Sequence, residues 1–460
     1  MQGIVLLLLT AAVNQLRPPT CERGSIMCKN PSQVQFSVLY LGLVLACLGT
    51  AGSRFTIAPM GAHQFDNPKH QGIFFNWYIF TMYIANIISS TAIVYVEENV
   101  GWAWGFTACV LANVLGLAIF VSGYRFYRVG EKKGSPFRSL AHVVVAAISK
   151  RKNDLSLKSE DYYHDLLGDA TTTVEKTPTR FFRFLNRAAL RTVGDTTSDG
   201  SIINPWRLCT VQQVEDLKTL IKIFPIWLSG LILSIPIGIQ MSFIIFQAKT
   251  MDAHLGSRFK IPAASMQVFT LFSTSITIVT LDRLVFPLWQ KLTQKPLTPL
   301  QRVGTGHFFT VLSMAISAIV ESKRLRMDSK NPENQIHGVI PMSVFWLVPQ
   351  LASVGIAEAF HFAGQVALYY QEFPETLKST STAAVAMSIG GAFYLSNVVI
   401  DLIRRATGWL PPDSIDNGRL DNVYWVACTM GAINYVYFLV CASLYKYQNS
   451  EKAAHYSNRS

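Results

Sequence analysis

Long stretches without Asp, Glu, Lys or Arg constrain this 460-residue chain more than any other feature. A helix needs roughly 20 such residues to cross the hydrocarbon core of a bilayer. Residues 30–53, 100–124, 223–248, 261–281, 303–320, 379–400 and 423–445 all come close to or exceed that length. Residues 71–96 are equally free of charge, and 338–371 form a longer run broken only by Glu358 and His361. With the apolar opening at 3–13, these make ten candidate spans. Backbone amides in lipid must be satisfied inside their own segment, so the spans read as helices. Composition agrees: half the residues are hydrophobic and 15% charged, with a mean hydropathy of +0.28. The reading is an all-α, multi-pass membrane protein, and a soluble fold is excluded.

The spans fall into four, then a polar stretch, then six. This divides the chain into an incomplete first transmembrane half at 1–124, a central loop at 125–216, a six-span half at 217–446 and a tail at 447–460. Arg125, Arg128, Lys132, Lys133 and Arg138 crowd one membrane exit, and basic residues near span ends mark the cytoplasmic side. Even span counts on both sides of the loop then put both termini in the cytoplasm. The segment after 320 goes against the charge rule, because Lys323, Arg324, Arg326 and Lys330 fall outside. Tags at either terminus are expected to be hidden from impermeant reagents in intact cells, and cysteines introduced at 97–99 to be labelled. External labelling of an N-terminal tag would overturn the first half of that topology.

The formal net charge of +12 fits cytoplasmic flanks facing anionic lipid headgroups. No zinc-ligand spacing, phosphate-binding loop or RNA-binding run occurs, so neither nucleic acid nor a cofactor is expected. No nucleophile–base pair is evident, so the chain does not read as an enzyme. Two six-helix halves joined by a cytoplasmic loop are common among secondary transporters. Six spans after the loop and four before it suggest that layout with two spans fewer at the front. A secretory signal would need a basic n-region, and Met1-Gln2 supplies no charge.

Residues 49–66 read GTAGSRFTIAPMGAHQFD, which resembles the GTGGIKPxxxxFGADQFD motif of the plant nitrate and peptide transporter family. That family consists of proton-coupled oligopeptide transporters of the major facilitator superfamily. FFNW at 74–77, VGWAWGF at 100–106, EDYYH at 160–164, FPIW at 224–227 and QEFPETLKSTSTA at 371–383 extend the resemblance over essentially the whole chain. The TAGSRFTIA variant and YIFTMYIAN at 78–86 look most like the nitrate excretion branch. The resemblance identifies 1–21, ending in LRPPTC, with the family's third helix. The family's E-x-x-E-R proton-coupling motif, carried on its first helix, has no match in these 460 residues. It implies nitrate transport across the plasma membrane, driven by protons or by the ion's own gradient, with proton-driven accumulation not expected of this chain alone. The alternatives are a carrier of short peptides, chloride or another organic anion, and a non-transporting chain that assembles with full-length relatives.

Three residues carry the candidate site. An ionisable group at mid-span depth is costly unless it faces a cavity or partner, which singles out Glu358; the resemblance implies substrate binding or gating there. Arg54 stands where the family motif has Lys, and its planar fork suits an oxyanion such as nitrate. It cannot relay a proton, since a guanidinium stays charged. His361, three residues beyond Glu358, either shares the cavity or is a neutral hydrogen-bonding group. Tyr83, Ala85 and Asn86 depart from the family's INxGS pattern, and His63 replaces an Asp. Lys218 and Lys222 read as membrane flanks, Pro236 as a hinge and Gly390-Gly391 as a helix contact. Cys21 and Cys28 share an outside loop and form a possible disulfide. Cys209, in the cytoplasmic loop, should stay reduced.

Overall fold

The computed structural model describes residues 1–17, 31–62, 64–65, 74, 78, 81–128, 136–156, 158–164, 178–192, 194–197, 201–256, 259–330, 339–374, 377, 380–411 and 415–445. Cys21, Cys28 and His63 lie outside the described residues. The helices are α1 (Gln2–Ala12), α2 (Gln33–Ala62), α3 (81–99), α4 (Trp102–Ser122), α5 (Pro136–Ser149) and α6 (Val211–Thr250). They continue with α7 (Ala263–Thr293), α8 (Pro299–Lys330), α9 (Val348–Glu372), α10 (Ser381–Ala406) and α11 (Leu420–Leu444). Among the described residues, eight helices are long and apolar enough to cross a membrane. Of the ten expected spans, the opening one forms only the 11-residue α1. The span at 71–96 is described from residue 81 and carries a π-helical turn at Ser89–Ile93.

Three helix starts share one sequence device, Ser or Thr followed three residues later by Gln. At α2 the Ser32 N–H donates to Gln35 Oε1 (2.9 Å) and the Gln35 N–H to Ser32 Oγ (3.3 Å). Thr210 and Gln213 repeat this at α6, and Thr298 and Gln301 at α8. Each exchange satisfies two donors that a helix start would otherwise leave open.

The chain divides into two compact units. One comprises Met1–Gly130, Leu233–Phe362 and Gly391–Ile433. In it α1 lies directly on α2 because Gly3 has no side chain: a Cβ there would sit 2.3 Å from the Ala46 amide nitrogen. Small residues bring membrane helices together in this way, where water supplies no hydrophobic drive. The expected contact at Gly390 is absent, since a Cβ there meets nothing within 4 Å. The close approach involving α10 is made instead by Gly238 of α6, whose added Cβ would lie 2.8 Å from Ser396 Oγ.

Polar residues then lock the buried faces of α6, α8 and α9. Gln240 donates to Ser317 Oγ (2.9 Å), and Ser313 Oγ donates to the Gln350 carbonyl (2.9 Å). At the ends of these helices next to Met251 and Ile340, the residues Ile244, Met251, Met266, Ile340, Leu347 and Leu351 form an apolar core. It is closed by a parallel strand pair, β1 (Met251–Asp252) with β4 (Ile340–Ser343), alongside a hairpin of β2 (His254–Leu255) and β3 (Phe259–Lys260).

The basic residues after 320 find their reason here. With 32 residues, α8 is about 48 Å long against a hydrocarbon core of about 30 Å. Its last turns therefore stand beyond the core instead of forming a loop. Arg324 is fully buried there, gripping both Glu321 oxygens (2.8 and 2.7 Å), Thr250 Oγ1 (3.0 Å) and Asp416. Gln247 donates to the same Glu321 (2.6 Å) and accepts from Tyr424 OH (3.0 Å). Lys323 lies over the Trp346 ring, 3.4 Å from its centroid. These charges hold the fold together, so they do not report on topology.

The second unit comprises Glu131–Ile232, Ala363–Gly390 and Asn434–Ser460. At 40 residues α6 is about 60 Å long, twice the hydrocarbon core, so its first turns project out of the membrane. There Val211 and Val214 pack with Val143 and Ala146 of α5, with Leu185, and with Ala188. Lys150 is buried against the Leu190 carbonyl (2.6 Å) and Asp195 (2.7 Å). Burial pushes the Asp195 carboxyl up, but hydrogen bonds from Lys150 and Thr192 outweigh it and hold the group below its ordinary value. Burial raises the Cys209 thiol to about 11, which leaves it protonated and unreactive. Lys218 corrects the sequence reading. It is no membrane flank but is 1% exposed, bonded to Glu215 (2.7 Å) and the Thr179 carbonyl (2.8 Å).

Candidate substrate site

Glycine decides where Glu358 goes. One turn earlier on α9, Gly355 packs against the backbone of α7: a Cβ on it would lie 2.6 Å from the Thr270 carbonyl and 2.9 Å from the Thr274 amide. That approach sets Glu358 on the turn facing Thr274, close enough for the hydroxyl to act on the carboxyl. The same hydroxyl reaches the Thr270 carbonyl at 2.9 Å. A hydroxyl can donate to a carboxylate or accept from a carboxylic acid.

Two groups from the first spans complete the site. The Tyr83 phenol on α3 feels the charge of both the Glu358 carboxyl and the Arg54 guanidinium, though among the described residues no hydrogen bond joins the three. Arg54, on α2, is exposed, so its fork is open to a ligand. Tyr83, which the sequence had marked only as a departure from the family pattern, thus lies within electrostatic range of both Arg54 and Glu358. The signal that would have found it is an aromatic hydroxyl where the family pattern has none.

His361 does not join them. It is fully buried against α8, where its ring meets His307 edge-on at 5.3 Å. Gly306 leaves room for it, since a Cβ there would fall 2.5 Å from His361 Cβ. Three residues on a helix turn through about 300°, which leaves His361 only about 60° round the axis from Glu358 but turned toward His307 of α8.

Below the site, Gln64 of the GAHQFD motif ties the end of α2 to the segment after α4. Its side chain donates to the Arg128 carbonyl (3.1 Å) and accepts from the Arg128 N–H (2.9 Å). Among the described residues no cluster of metal-ligating side chains occurs.

A bundle of long apolar helices, one of them carrying a carboxyl inside its apolar run, is the build of a multi-pass membrane transporter. The POT family model (PTR2) matches residues 1–414. Protein NRT1/PTR family 2.6 of Arabidopsis thaliana is 51% identical over 453 residues, covering 98% of this chain and 80% of the relative. Protein NRT1/PTR family 2.7 from the same plant is 50% identical, covering 99% and 80%. The chain belongs to the POT family, whose members are transporters and not enzymes. The crystal structure of the POT family transporter PepTSo superimposes with a TM-score of 0.63 at 15% identity, covering 96% of this chain and 81% of that one. An auto-inhibited POT family peptide transporter gives 0.61 at 14% identity, covering 89% and 78%. These two show the shared major-facilitator-type fold.

Proposed function

We propose that this chain carries nitrate across the plasma membrane, down the ion's own electrochemical gradient. The observation that carries this reading is Arg54, an exposed guanidinium in the neighbourhood of Tyr83 and Glu358. Nitrate is a planar oxyanion, and a guanidinium offers it two parallel N–H donors where lysine offers a point charge. Being permanently charged, Arg54 supplies attraction but no proton.

The test is isotope flux through proteoliposomes or oocytes carrying the 460-residue chain. Labelled nitrate is expected to equilibrate faster than in controls without accumulating against its gradient when a pH gradient is imposed. Arg54→Gln is expected to cut that flux by about tenfold, the loss of a charge-assisted bidentate pair. Movement of chloride or a dipeptide with no movement of nitrate would replace the substrate. Silence toward all three would favour a non-transporting partner of longer relatives.

A further inference from the structure

We propose that the central polar segment holds a regulatory binding site for a phosphorylated polyol, of the inositol-phosphate class, beside the first turns of α6. The site is a cleft of about 110 Å³ between the Ser156–Tyr162 segment and the 178–186 turn. That is room for three or four waters, and so for one phosphate group with its neighbouring hydroxyl.

Arg180 and Arg183 line the cleft, both exposed, and neither pairs with a carboxylate among the described residues. Between them Phe182 takes a left-handed conformation (φ 46°, ψ 53°), uncommon for a residue with a side chain. Arginine pairs are suited to phosphate because each planar fork can give two parallel hydrogen bonds. The opposing charge is Asp161, which also acts on Tyr162 and whose carboxylate is engaged by the Ser156 hydroxyl. Two cations against one occupied anion leave the cleft attractive to phosphate.

The second observation is Asn186. Its residue is 5% exposed, it lines the cleft, and its Oδ1 has no hydrogen-bond partner. A buried amide oxygen left open is costly, and a ligand that supplies its donor removes that cost. The partner it lacks must be a donor, and a polyol hydroxyl beside the phosphate supplies one while leaving every phosphate oxygen to the arginines. Arginines for the phosphate and an open acceptor for an adjoining hydroxyl together select an inositol phosphate over a bare oxyanion.

The cleft is wired to α6. Asn186 Nδ2 donates to the Thr179 carbonyl (3.2 Å), which also accepts from Lys218 Nζ (2.8 Å). The Thr179 N–H and hydroxyl donate to the two Glu215 oxygens (2.9 and 2.8 Å). A ligand on Asn186 therefore stiffens the bonds that anchor the first turns of a helix which continues through the membrane.

Two sources carry this chemistry, a soluble inositol phosphate and a phosphoinositide headgroup. Purified full-length chain would be titrated with inositol trisphosphate, with inorganic phosphate, and with phosphatidylcholine vesicles with or without phosphatidylinositol bisphosphate. Saturable binding of inositol trisphosphate, at least tenfold tighter than inorganic phosphate, supports the site and a soluble ligand. Binding confined to the phosphoinositide vesicles supports the site and assigns it to the lipid. Arg180→Gln/Arg183→Gln alters only exposed side chains and is expected to weaken either interaction at least tenfold with unchanged melting. Asn186→Ser, read in parallel, should erase the preference over inorganic phosphate. Equal affinity for inorganic phosphate, undiminished binding by the arginine variant, or no binding of either probe overturns the proposal.

Discussion

Nitrate binding by the parent chain is expected to tighten as pH falls from about 8 to about 4, and Glu358→Gln to remove that dependence. The carboxylate and Arg54 both act on Tyr83, so an ionised Glu358 opposes an incoming anion and offsets the guanidinium's attraction. Protonation removes the opposing charge. Glutamine imitates the protonated form in size and hydrogen bonding, so the variant should bind at the parent's low-pH level at every pH. A charge at this range alters affinity by about tenfold to a hundredfold, each tenfold being about 1.4 kcal/mol. Titrating purified parent and variant with nitrate at several pH values, alongside flux, measures it. A variant that keeps the parent's pH profile would reduce Glu358 to packing.

Arg324→Met is expected to destabilise the protein severely, because it strands a buried charge. Both side chains of the Arg324–Glu321 pair are wholly buried, and the partner Asp416 is 24% exposed. Removing the guanidinium leaves Glu321 charged and uncompensated, at a cost of about 3–5 kcal/mol. The exposed pair Arg405–Asp401 (78% and 54%) gives the control. Arg405→Met should change stability by less than about 1 kcal/mol. In detergent the first variant should melt far below the parent and the control beside it. Glu321→Gln added to Arg324→Met should recover most of the loss, because the stranded charge is then gone. A single Arg324 variant that melts like the parent would show that the cluster is solvated.

Much of this was legible in the residues. Charge-free runs announced the helices because lipid leaves an unpaired amide no alternative, and the 49–66 motif, FPIW and the α9 segment led to the family. Glu358 was visible because a lone carboxyl inside an apolar run is too costly to be idle. The same rule could not place His361, which it left between the cavity and a neutral hydrogen-bonding role and which packs against His307 of α8. It misled at Lys218, where a cation beside a span turned out to be sealed inside the second unit. Arg324 looked like a breach of the charge rule, because no local pattern shows that Asp416, more than ninety positions away in sequence, returns to meet it.

Glycine illustrates the limit most clearly. The Gly390-Gly391 pair has the look of a helix contact, yet Gly390 meets open space, while Gly238 and Gly355 make the close approaches. A missing Cβ permits contact, but whether another helix arrives depends on rotation about the helix axis, which one chain's hydropathy leaves undetermined. The sequence by itself determined the class of fold, the placement of eight long spans though not their ends (223–248 became Val211–Thr250, 261–281 became Ala263–Thr293), the family and the suspicion on Arg54 and Glu358, because lipid solvation and backbone hydrogen bonding act on each segment locally. Only the tertiary structure decided which groups meet: Tyr83 with Arg54 and Glu358, Arg324 with Glu321 and Asp416, and Asn186 open to the cleft. Those meetings depend on the packing of helices far apart in the chain, where a rotation of one residue, about 100°, exchanges a cavity-facing side chain for a buried one.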